Sequence, residues 1–345
     1  MKSKKLLITI LGLLLVAALF ASCAPAAAPE EAAPAEEEVM EEEAMEEEEA
    51  MEEEAAETMY IPVISKGFQH AFWLAVEKGA EQAAEEYGVE ITFEGPETEA
   101  MVDKQMDMLQ VAIDKDPAGI CFAAVDSQAA IPLLEQAQEK GIPIVAFDSG
   151  VDSDIPLATA ATDNVAAAAL AADKMAELIG GEGEVAIIAH DNTSRTGIDR
   201  VAGFTDRMNS EYPDITIVDT QYGGGDHLRS TDLSKAIIQG NPDLKGFFGA
   251  NEGSIIGVLN AATELGRDDL VIIGYDSGQQ QIEAIRSGLE AGAVQQNPIG
   301  IGYKCVEAVV KAVNGETLDE FIDTGFLWAD ATTLDDPDVA AVLYE

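Results

Sequence analysis

Short apolar runs alternate with longer amphipathic stretches from Thr58 onward, and this alternation restricts the possible fold more than any other feature. The apolar runs have the length of strands and read MYIPVIS, VEITFE, GICFAA, IPIVAFD, EVAIIAH, ITIVDT, GFFGA and LVIIGYD. The stretches between them, such as VDKQMDMLQVAIDK and VAAAALAADKMAELIG, carry apolar residues at helical spacing, and several end in Gly. Strands separated by helices form βαβ units, in which helices cover both faces of a parallel sheet. The sequence therefore predicts an α/β fold.

The order of the runs divides the folded part into two similar sets. IPIVAFDSG and ATAATDN complete the first set, and the second begins at EVAIIAHDN. We expect two doubly wound parallel-sheet lobes with a hinge and a ligand cleft, because such pairs of lobes close around ligands. The predicted boundaries are 58–162 plus 297–326 for the N-terminal lobe and 163–296 plus 327–345 for the C-terminal lobe.

The N-terminus has the pattern of a secretory signal over residues 1–22. Lysines precede the apolar run LLITILGLLLVAALF, and small residues follow it in ASCAP. The segment from Phe20 to Cys23 resembles a bacterial lipobox, although Leu is usual at the position of Phe20. A lipidated Cys23 would anchor the protein to the membrane on its extracytoplasmic side. A plain signal peptide with an incidental Cys is the alternative.

The segment that follows the predicted signal peptide is strongly acidic. Residues 23–57 contain 16 Glu and no basic residue, so we predict a disordered acidic tether. The whole chain carries a formal net charge of -46. Because nucleic acid binding requires a basic surface, nucleic acid is excluded as a partner.

The remaining Cys and the His residues do not indicate a reactive or metal centre. Cys121 and Cys305 lie in the apolar segments GICFAA and YKCVEAVV, and we expect small buried hydrophobes rather than a disulfide. His70, His190 and His227 lie far apart in sequence, without metal-ligand spacing. Nucleophile-elbow, phosphate-loop and dinucleotide motifs do not occur where such chemistry requires them. The sequence predicts no cofactor, no metal and no enzymatic activity.

Polar residues follow the carboxyl ends of several predicted strands. In open α/β sheets, ligands bind outside these ends, where loops and helix N-termini converge. The candidate positions are Ser65, Asp126, Asp148, His190, Asn251 and Asp276.

Seven segments, taken together and in order, resemble the type I periplasmic sugar-binding proteins of ABC transporters, typified by ribose- and galactose-binding proteins. They are HAFWLAVEKGAEQAAEEYGVEI, GIPIVAFDSG, ATDNVAAAALAADKMAEL, RVAGF, GFFGANEGSIIGVLNAATELG, VIIGYDSG and AVQQNPIGIG. The resemblance covers nearly all of residues 59–330. It implies a periplasmic binding protein type I fold and a monomer that captures a neutral monosaccharide or polyol. The closed form would deliver this ligand to a permease with its ATPase.

The resemblance also implies a set of ligand-binding residues. Phe72 and Trp73 match paired aromatics that pack on a sugar ring, although two core aromatics would give the same sequence. Asp148 matches an acid that accepts from adjacent hydroxyls. Arg200 matches an Arg that forks to ligand oxygens, with a surface helix charge as the alternative. An acid–base pair of Asp148 and Asp276 is also conceivable, but in the family these acids bind hydroxyls. The full set is Phe72, Trp73, Asp148, Arg200, Asn251, Asp276 and Gln296.

Several positions depart from the ribose-binding pattern. Ser149 replaces an Arg, which argues against ribose itself, and Ala123 replaces an Asn, with Asp126 as a candidate substitute. The Gly-rich run QYGGGDH replaces a second-lobe aromatic, so that Gly225 would leave space and Asp226 would be free to turn inward.

Second-tier contacts are expected at Lys66, His70 and Asp126. Lys66 resembles a Lys at the first strand end of the autoinducer-2-binding branch, although that branch lacks the acid matching Asp276. An autoinducer-2 or chemoreceptor-type signal-binding protein of the same fold is therefore the alternative function.

Overall fold

The computed structural model describes residues 58–344. The strands are β1 (Tyr60–Ile64), β2 (Glu90–Glu94), β3 (Ile120–Phe122), β4 (Ile144–Phe147), β5 (Ala158–Ala161), β6 (Gly183–Ala189), β7 (Ile215–Tyr222), β8 (Leu244–Gly249), β9 (Val271–Tyr275), β10 (Gly292–Gln296), β11 (Phe321–Asp323) and β12 (Phe326–Ala329). The helices are α1 (Ala71–Tyr87), α2 (Val102–Asp114), α3 (Ile131–Glu139), α4 (Asn164–Ile179), α5 (Arg195–Glu211), α6 (His227–Gly240), α7 (Glu252–Leu265), α8 (Gln279–Ser287), α9 (Pro298–Val313) and α10 (Pro337–Ala340). None of these helices is long and apolar enough to cross a membrane. The predicted signal peptide, Cys23 and the acidic tether lie outside the described residues.

The strands form two six-stranded sheets with matching strand orders. The first sheet has the order β11-β5-β4-β3-β1-β2, and the second has the order β12-β10-β9-β8-β6-β7. Neighbouring strands pair in parallel, except that β12 runs antiparallel to β10. The predicted α/β class with two doubly wound, mostly parallel sheets is confirmed.

Helices cover both faces of each sheet, which explains why the strand sequences are continuously apolar. In β1, four of the five residues are buried, as expected for a strand covered on both sides. Helices α1 and α9 pack on one face of the first sheet and α2 and α3 on the other. The second sheet is covered by α4 and α5 on one face and by α6 and α7 on the other.

The chain passes between the two lobes at three places. It leaves the first sheet after β5 and enters α4, and it returns from β10 into α9. It crosses again between β11 and β12, which are edge strands of the first and second sheets. All three crossings therefore lie at corresponding edges of the two sheets, away from β2 and β7.

Helix ends follow local sequence signals. Helix α1 ends at Gly88, which adopts φ 65° and donates its backbone N–H to Ala84 O. A left-handed residue at this position favours glycine. Five helices have a side-chain cap at the N-terminus, given by Asp163, Ser194, Asp226, Asn251 and Asn297.

The structure corrects our expectation for the two remaining cysteines. Cys121 on β3 and Cys305 on α9 form a disulfide, with a sequence separation of 184 and 6.0 Å between their Cα atoms. Both side chains are fully buried in the core of the first lobe, as expected. Their pairing was missed because it arises only when α9, after the return crossing, packs on β3 and β4.

Candidate ligand-binding site

A small cavity with about 20 Å³ of free space lies between the lobes at the carboxyl ends of the strands. It is lined by Lys66, His70, Phe72, Trp73, Glu99, Asp148, His190, Arg200, Asn251, Asp276 and Gln296. The structure thus brings together all seven first-tier residues of the predicted site, with Lys66 and His70 beside them. A larger and more open space next to this cavity shares Asp148 with it.

Asp126 is not brought to this cavity. Its carboxylate accepts hydrogen bonds from the backbone N–H groups of Gln128 and Ala129, both at 2.9 Å. The side chain therefore stabilises the turn after β3. It does not line the cavity in place of the Asn that Ala123 replaces.

Phe72 and Trp73 form the aromatic wall of the cavity at the start of α1. Their ring centroids lie 5.0 Å apart at an interplanar angle of 86°, and both rings also belong to the core of the first lobe. Trp73 Nε1 donates to Glu99 Oε1 at 2.8 Å. Both rings are therefore core residues that also line the cavity, and their packing on a sugar ring stays a prediction.

Lys66 follows β1 and joins the two lobes. Its Nζ lies 3.6 Å from Glu99 Oε2 and 3.8 Å from Asp148 Oδ2, and it donates to Thr196 Oγ1 of the second lobe at 2.9 Å. Burial lowers the pKa of Lys66, but the carboxylates of Glu99 and Asp148 outweigh burial and the pKa is raised. Lys66 is therefore a buried cation that two acids hold in place.

Asp148 follows β4 and offers an unused acceptor to the cavity. The residue is buried, and its Oδ2 has no hydrogen-bond partner within residues 58–344. Burial raises the pKa of this carboxyl to about 6, against the opposing effect of Lys66 and Arg200. A buried carboxylate oxygen without a hydrogen bond is costly in free energy even beside the Lys66 ammonium, so the site suits a ligand that donates a hydrogen bond to it.

The second lobe contributes a guanidinium held on an aromatic ring. Arg200 lies with its Cζ 3.7 Å from the centroid of the Tyr275 ring. Its Nε donates to Asn164 Oδ1 at 2.7 Å, and its Nη1 donates to Ala250 O at 2.9 Å. Arg200 is buried to 3% exposure, so the alternative of a surface helix charge is wrong for this residue.

Asp276, at the end of β9, is positioned by its neighbours in the second lobe. Its Oδ1 accepts from Gln296 Nε2 at 2.6 Å, and its Oδ2 accepts from the backbone N–H of Glu252 at 3.1 Å. Asn251 accepts from Ser254 N at 2.9 Å and so caps α7. Gln296 retains a buried Oε1 with no partner in the described part of the chain.

Two residues that line the cavity are absent from the predicted site. His190 follows β6 and was a strand-end candidate, but it was not assigned to the ligand; its Nε2 hydrogen-bonds with Thr196 Oγ1 at 3.1 Å. Burial lowers the pKa of His190 to about 4. Glu99 lies in the loop after β2. The chain contains many Glu residues, and nothing in the sequence distinguishes Glu99 from the others. Burial raises the pKa of Glu99, but Lys66 and His70 outweigh it and lower the value to about 2.

The region of the Gly-rich run QYGGGDH differs from expectation. A Cβ on Gly225 would lie 2.5 Å from Gln69 Nε2 and 3.1 Å from His70 Nε2. The first lobe therefore fills the space that we expected Gly225 to leave. Asp226 is exposed and accepts from Arg229 N at 2.7 Å, so it caps α6 and does not turn inward.

No group of His, Cys, Asp or Glu side chains among residues 58–344 is arranged to hold a metal ion. What the cavity offers is a set of buried polar atoms without partners: His70 Nδ1, Asp148 Oδ2, His190 Nδ1 and Gln296 Oε1. An aromatic wall beside unpaired donors and acceptors suits a small ligand with an apolar face and several polar groups.

Two three-layer lobes, joined by three crossings around a polar cleft, define the architecture of a bilobal ligand-binding protein. Residues 61–317 match the family model described as a periplasmic binding protein domain, and the chain belongs to this family. The family prediction made from the sequence is confirmed.

Similar proteins carry names that agree with this membership. The D-allose-binding periplasmic protein of Escherichia coli (strain K12) is 28% identical over 259 residues, which cover 72% of this chain and 83% of that protein. An ABC transporter solute binding protein from Agrobacterium vitis, solved with D-fucose, is 33% identical with a TM-score of 0.80 and covers 83% of this chain and 100% of that chain. A carbohydrate transporter solute binding protein from Agrobacterium radiobacter, solved with D-arabinose, is 28% identical with a TM-score of 0.81 and covers 84% of this chain and 100% of that chain. These relatives are named as binding proteins, in agreement with the prediction that the chain is not an enzyme.

Proposed function

We propose that this protein captures a neutral monosaccharide or polyol by closure of its two lobes and delivers it to the permease of an ABC importer. The observation that carries this proposal is the interlobe cavity in which Phe72 and Trp73 lie beside buried polar atoms without partners. The names of the relatives above, with D-allose, D-fucose and D-arabinose as ligands, support a sugar.

The chemistry of the walls supports a ligand with a ring and several hydroxyls. The C–H groups of a pyranose face pack on an aromatic ring, while its hydroxyls point sideways to polar groups. Asp148 would accept from hydroxyls through charge-assisted hydrogen bonds. Arg200 would donate to ring or hydroxyl oxygens, because its planar fork presents several donors in fixed geometry.

The small size of the cavity means that ligand entry requires the lobes to separate. About 20 Å³ of free space lies between them, whereas ligand pockets span roughly 300–1,000 Å³. A sugar would therefore occupy the cleft in a less tightly closed arrangement than this one.

The lipid anchor, the tether and the extracytoplasmic location belong to the same proposal. Cys23 would carry the lipid, and residues 24–57 would act as a solvated tether for a monomeric binding protein. Replacing Cys23 by Ala should move the protein from the membrane fraction to the soluble fraction. Retention of the Cys23→Ala variant in washed membranes would contradict the anchor and leave sugar binding untouched.

A ligand screen tests the function. The purified protein should show raised thermal stability with one or a few members of a panel of aldopentoses, aldohexoses, ketoses and polyols. Mass spectrometry of material released on denaturation would identify a ligand carried through purification. Absence of any stabilisation by the sugars and polyols would overturn the proposal.

A signal-binding role is the second candidate, and the position of Lys66 favours it. Lys66 lines the cavity, at the strand end where the autoinducer-2-binding branch carries a Lys. Asp276 lines the same cavity and argues against that branch, which lacks this acid. Adding furanosyl signal molecules to the panel separates the two functions, because stabilisation by these molecules alone would favour the second.

A further inference from the structure

A second interlobe space lies beside the ligand cavity, where the chain crosses from β5 to α4. It has about 400 Å³ of free space, against about 20 Å³ in the ligand cavity. Its walls come from both lobes, and they include Gly150, Thr159 and Phe321 of the first lobe and Asn164 and Arg195 of the second. We call this space the hinge-side pocket. Since ligand pockets span roughly 300–1,000 Å³, it is large enough for a ring-sized group.

Side chains from opposite lobes separate the hinge-side pocket from the ligand cavity. Asp148 of the first lobe lines both spaces. Arg200 of the second lobe lines the ligand cavity, and its Nε donates at 2.7 Å to Oδ1 of Asn164, which lines the pocket. Because the two sides of this partition belong to different lobes, the separation that a sugar requires also opens a passage between the two spaces.

Asp148 gives a ligand a contact at this boundary. The residue is buried, and its Oδ2 has no hydrogen-bond partner within residues 58–344. Lys66, which lines the ligand cavity, lies with its Nζ 3.8 Å from this oxygen. A ligand hydroxyl beside the bond that joins two rings would donate to Oδ2 and satisfy a buried acceptor.

Interlobe contacts hold the walls of the hinge-side pocket together. Arg195 on α5 pairs with Asp199 on the same helix and, across the cleft, with Asp152 of the first lobe at 3.3 Å. The backbone N–H of Ser127 in the first lobe donates to Thr193 O of the second at 2.9 Å. The pocket is therefore a product of the approach of the two lobes, as the ligand cavity is.

The chemistry of these walls suits a neutral ring. Apolar surface comes from Val151, Val165 and Phe321, and the Phe321 ring is exposed. Thr159 offers a hydroxyl to a polar group of the ligand. Arg195 is already paired with two acids, so the acids around the pocket are in excess and would repel an anionic group.

We propose that the hinge-side pocket is a second subsite, which takes the substituent of a neutral glycoside while the first sugar ring lies at Phe72 and Trp73. The substituent would be a second sugar ring or another uncharged ring. The inference rests on the proposed function for the position of the first ring. It extends the class of ligand from a free monosaccharide to a glycoside or disaccharide.

Gly150 offers a way to fill the subsite without touching the ligand cavity. Its φ is not positive, and an added Cβ would lie 3.6 Å from Thr159 Oγ1 and 4.0 Å from Arg195 Cγ, which are ordinary contact distances. Gly150→Ala should therefore be tolerated, whereas Gly150→Leu places a branched side chain in the pocket. Phe321→Ala removes the exposed ring from an edge strand. Urea denaturation checks that each variant is folded.

Calorimetry with paired probes tests the subsite. The free sugars are D-glucose, D-galactose, D-fucose and D-arabinose, and the glycosides are their α- and β-p-nitrophenyl derivatives, cellobiose and lactose. At least one glycoside should bind the wild type as tightly as its parent sugar or more tightly. Gly150→Leu should weaken this binding by about tenfold or more, and Phe321→Ala by about fivefold. Both variants should bind the parent sugar as the wild type does, and Gly150→Ala should match the wild type with both ligands.

The outcomes separate this subsite from the proposed function. Binding of free sugars without any glycoside, or equal losses of sugar and glycoside in Gly150→Leu, would overturn the subsite and leave the proposed function standing. Binding of neither sugars nor glycosides would overturn both. D-glucose 1-phosphate should bind more weakly than the neutral glucosides, and tighter binding of this anion would contradict the neutral class of substituent.

Discussion

Asp148 and Asp276 share a backbone conformation as well as a cavity. Asp148 adopts φ 54° and Asp276 adopts φ 78°, and each follows the corresponding strand of its own sheet, β4 or β9. Left-handed backbone is uncommon outside glycine, although Asp and Asn tolerate it better than other residues. Such positions occur frequently at functional sites. A substitution that tests either acid should therefore be Asn, which keeps both the shape and the backbone preference.

Asp148→Asn should weaken ligand binding by about 2 kcal/mol, the order of a hydrogen bond to a charged group. The amide removes half of the acceptor capacity and leaves Lys66 with one carboxylate. Calorimetry with the best ligand of the panel measures the change. Asp163→Asn is a matched control, since Asp163 is exposed and Asn also caps helices. Equal affinity of the Asp148→Asn variant and the wild type would contradict a role for this carboxylate.

The pKa of Asp148 also predicts how affinity depends on pH. In the free closed protein the pKa is raised to about 6, and hydroxyl donors of a ligand would lower it. Binding then releases a proton, so affinity is fully present above pH 6 and falls as the pH drops through 6. Calorimetry at pH 5, 6 and 7.5 measures this. The dependence in this range should disappear in Asp148→Asn, and a wild-type affinity that is constant from pH 7.5 to 5 would contradict it.

Glu99 is predicted to hold the first-lobe wall in place. It accepts from Trp73 Nε1 and lies beside Lys66, and its backbone N–H donates to Gln69 Oε1 at 3.2 Å. Glu99→Ala should weaken binding by about 2 kcal/mol, because it leaves a buried cation with one partner fewer.

Glu97→Ala in the same loop serves as the control for Glu99, since Glu97 is exposed. The Glu99→Gln variant retains an acceptor for Trp73 and should lie between the wild type and the Ala variant. Tryptophan fluorescence reports the environment of the Trp73 ring in each protein. Wild-type affinity in Glu99→Ala would argue against this role.

At the scale of elements, helices α1 and α9 approach each other through glycines. A Cβ at Gly79 would meet Ile299 O, and one at Gly302 would meet Val76 O. These are backbone atoms, so neither contact is relieved by a side-chain rotation. The glycines thereby let the crossing helix α9 pack against the helix that carries the aromatic wall.

Gly79→Ala should therefore lower the free energy of unfolding by about 1–3 kcal/mol through overpacking. Urea denaturation measures this difference. A matched control is Gly240→Ala at the end of α6, where an added Cβ meets no atom within 4 Å and Ala is the better helix former. Gly79→Ala as stable as Gly240→Ala would contradict the close helix contact.

Periodicity predicted the strands and helices that are long and apolar or strongly amphipathic. The eight apolar runs correspond to β1–β4 and β6–β9. Strands β11 and β12 were not predicted from periodicity, because FID and FLWA are short edge strands whose residues are largely exposed or half-buried. Strand β10 was missed because GAVQQ ends in two glutamines, although all five of its residues are buried.

The residues that line the cavity were predictable where a polar side chain directly follows a strand. They were harder to predict where a loop or a distant element supplies the side chain. Strand-end position identified Asp148, Asn251 and Asp276, and the family resemblance added Phe72, Trp73, Arg200 and Gln296. Glu99 was not predictable, because its importance arises from the approach of the β2–α2 loop to Lys66 and Trp73. The role of each residue in ligand binding remains a prediction that the variants above test.

At the scale of the whole molecule, one covalent link reinforces the first lobe. The Cys121–Cys305 disulfide joins β3 to α9 across 184 residues of sequence. Removing a native disulfide typically costs about 2–5 kcal/mol of stability. Cys305→Ser should therefore lower the free energy of unfolding by this order, with wild-type protein in reductant behaving similarly. An unchanged urea midpoint in both cases would contradict a stabilising disulfide.

The three crossings also determine how the molecule can move. They lie together at the edge formed by β5 and β11 in one sheet and by β10 and β12 in the other. Three adjacent connections act as a hinge. They permit rotation of the lobes about one axis and resist twisting or sliding of one lobe against the other. The two lobes then separate on the side of β2 and β7, so a ligand has one entrance to the cleft. Since the hydrogen bond from Lys66 to Thr196 joins the two lobes, exchange of the ligand should follow the rate at which the lobes separate.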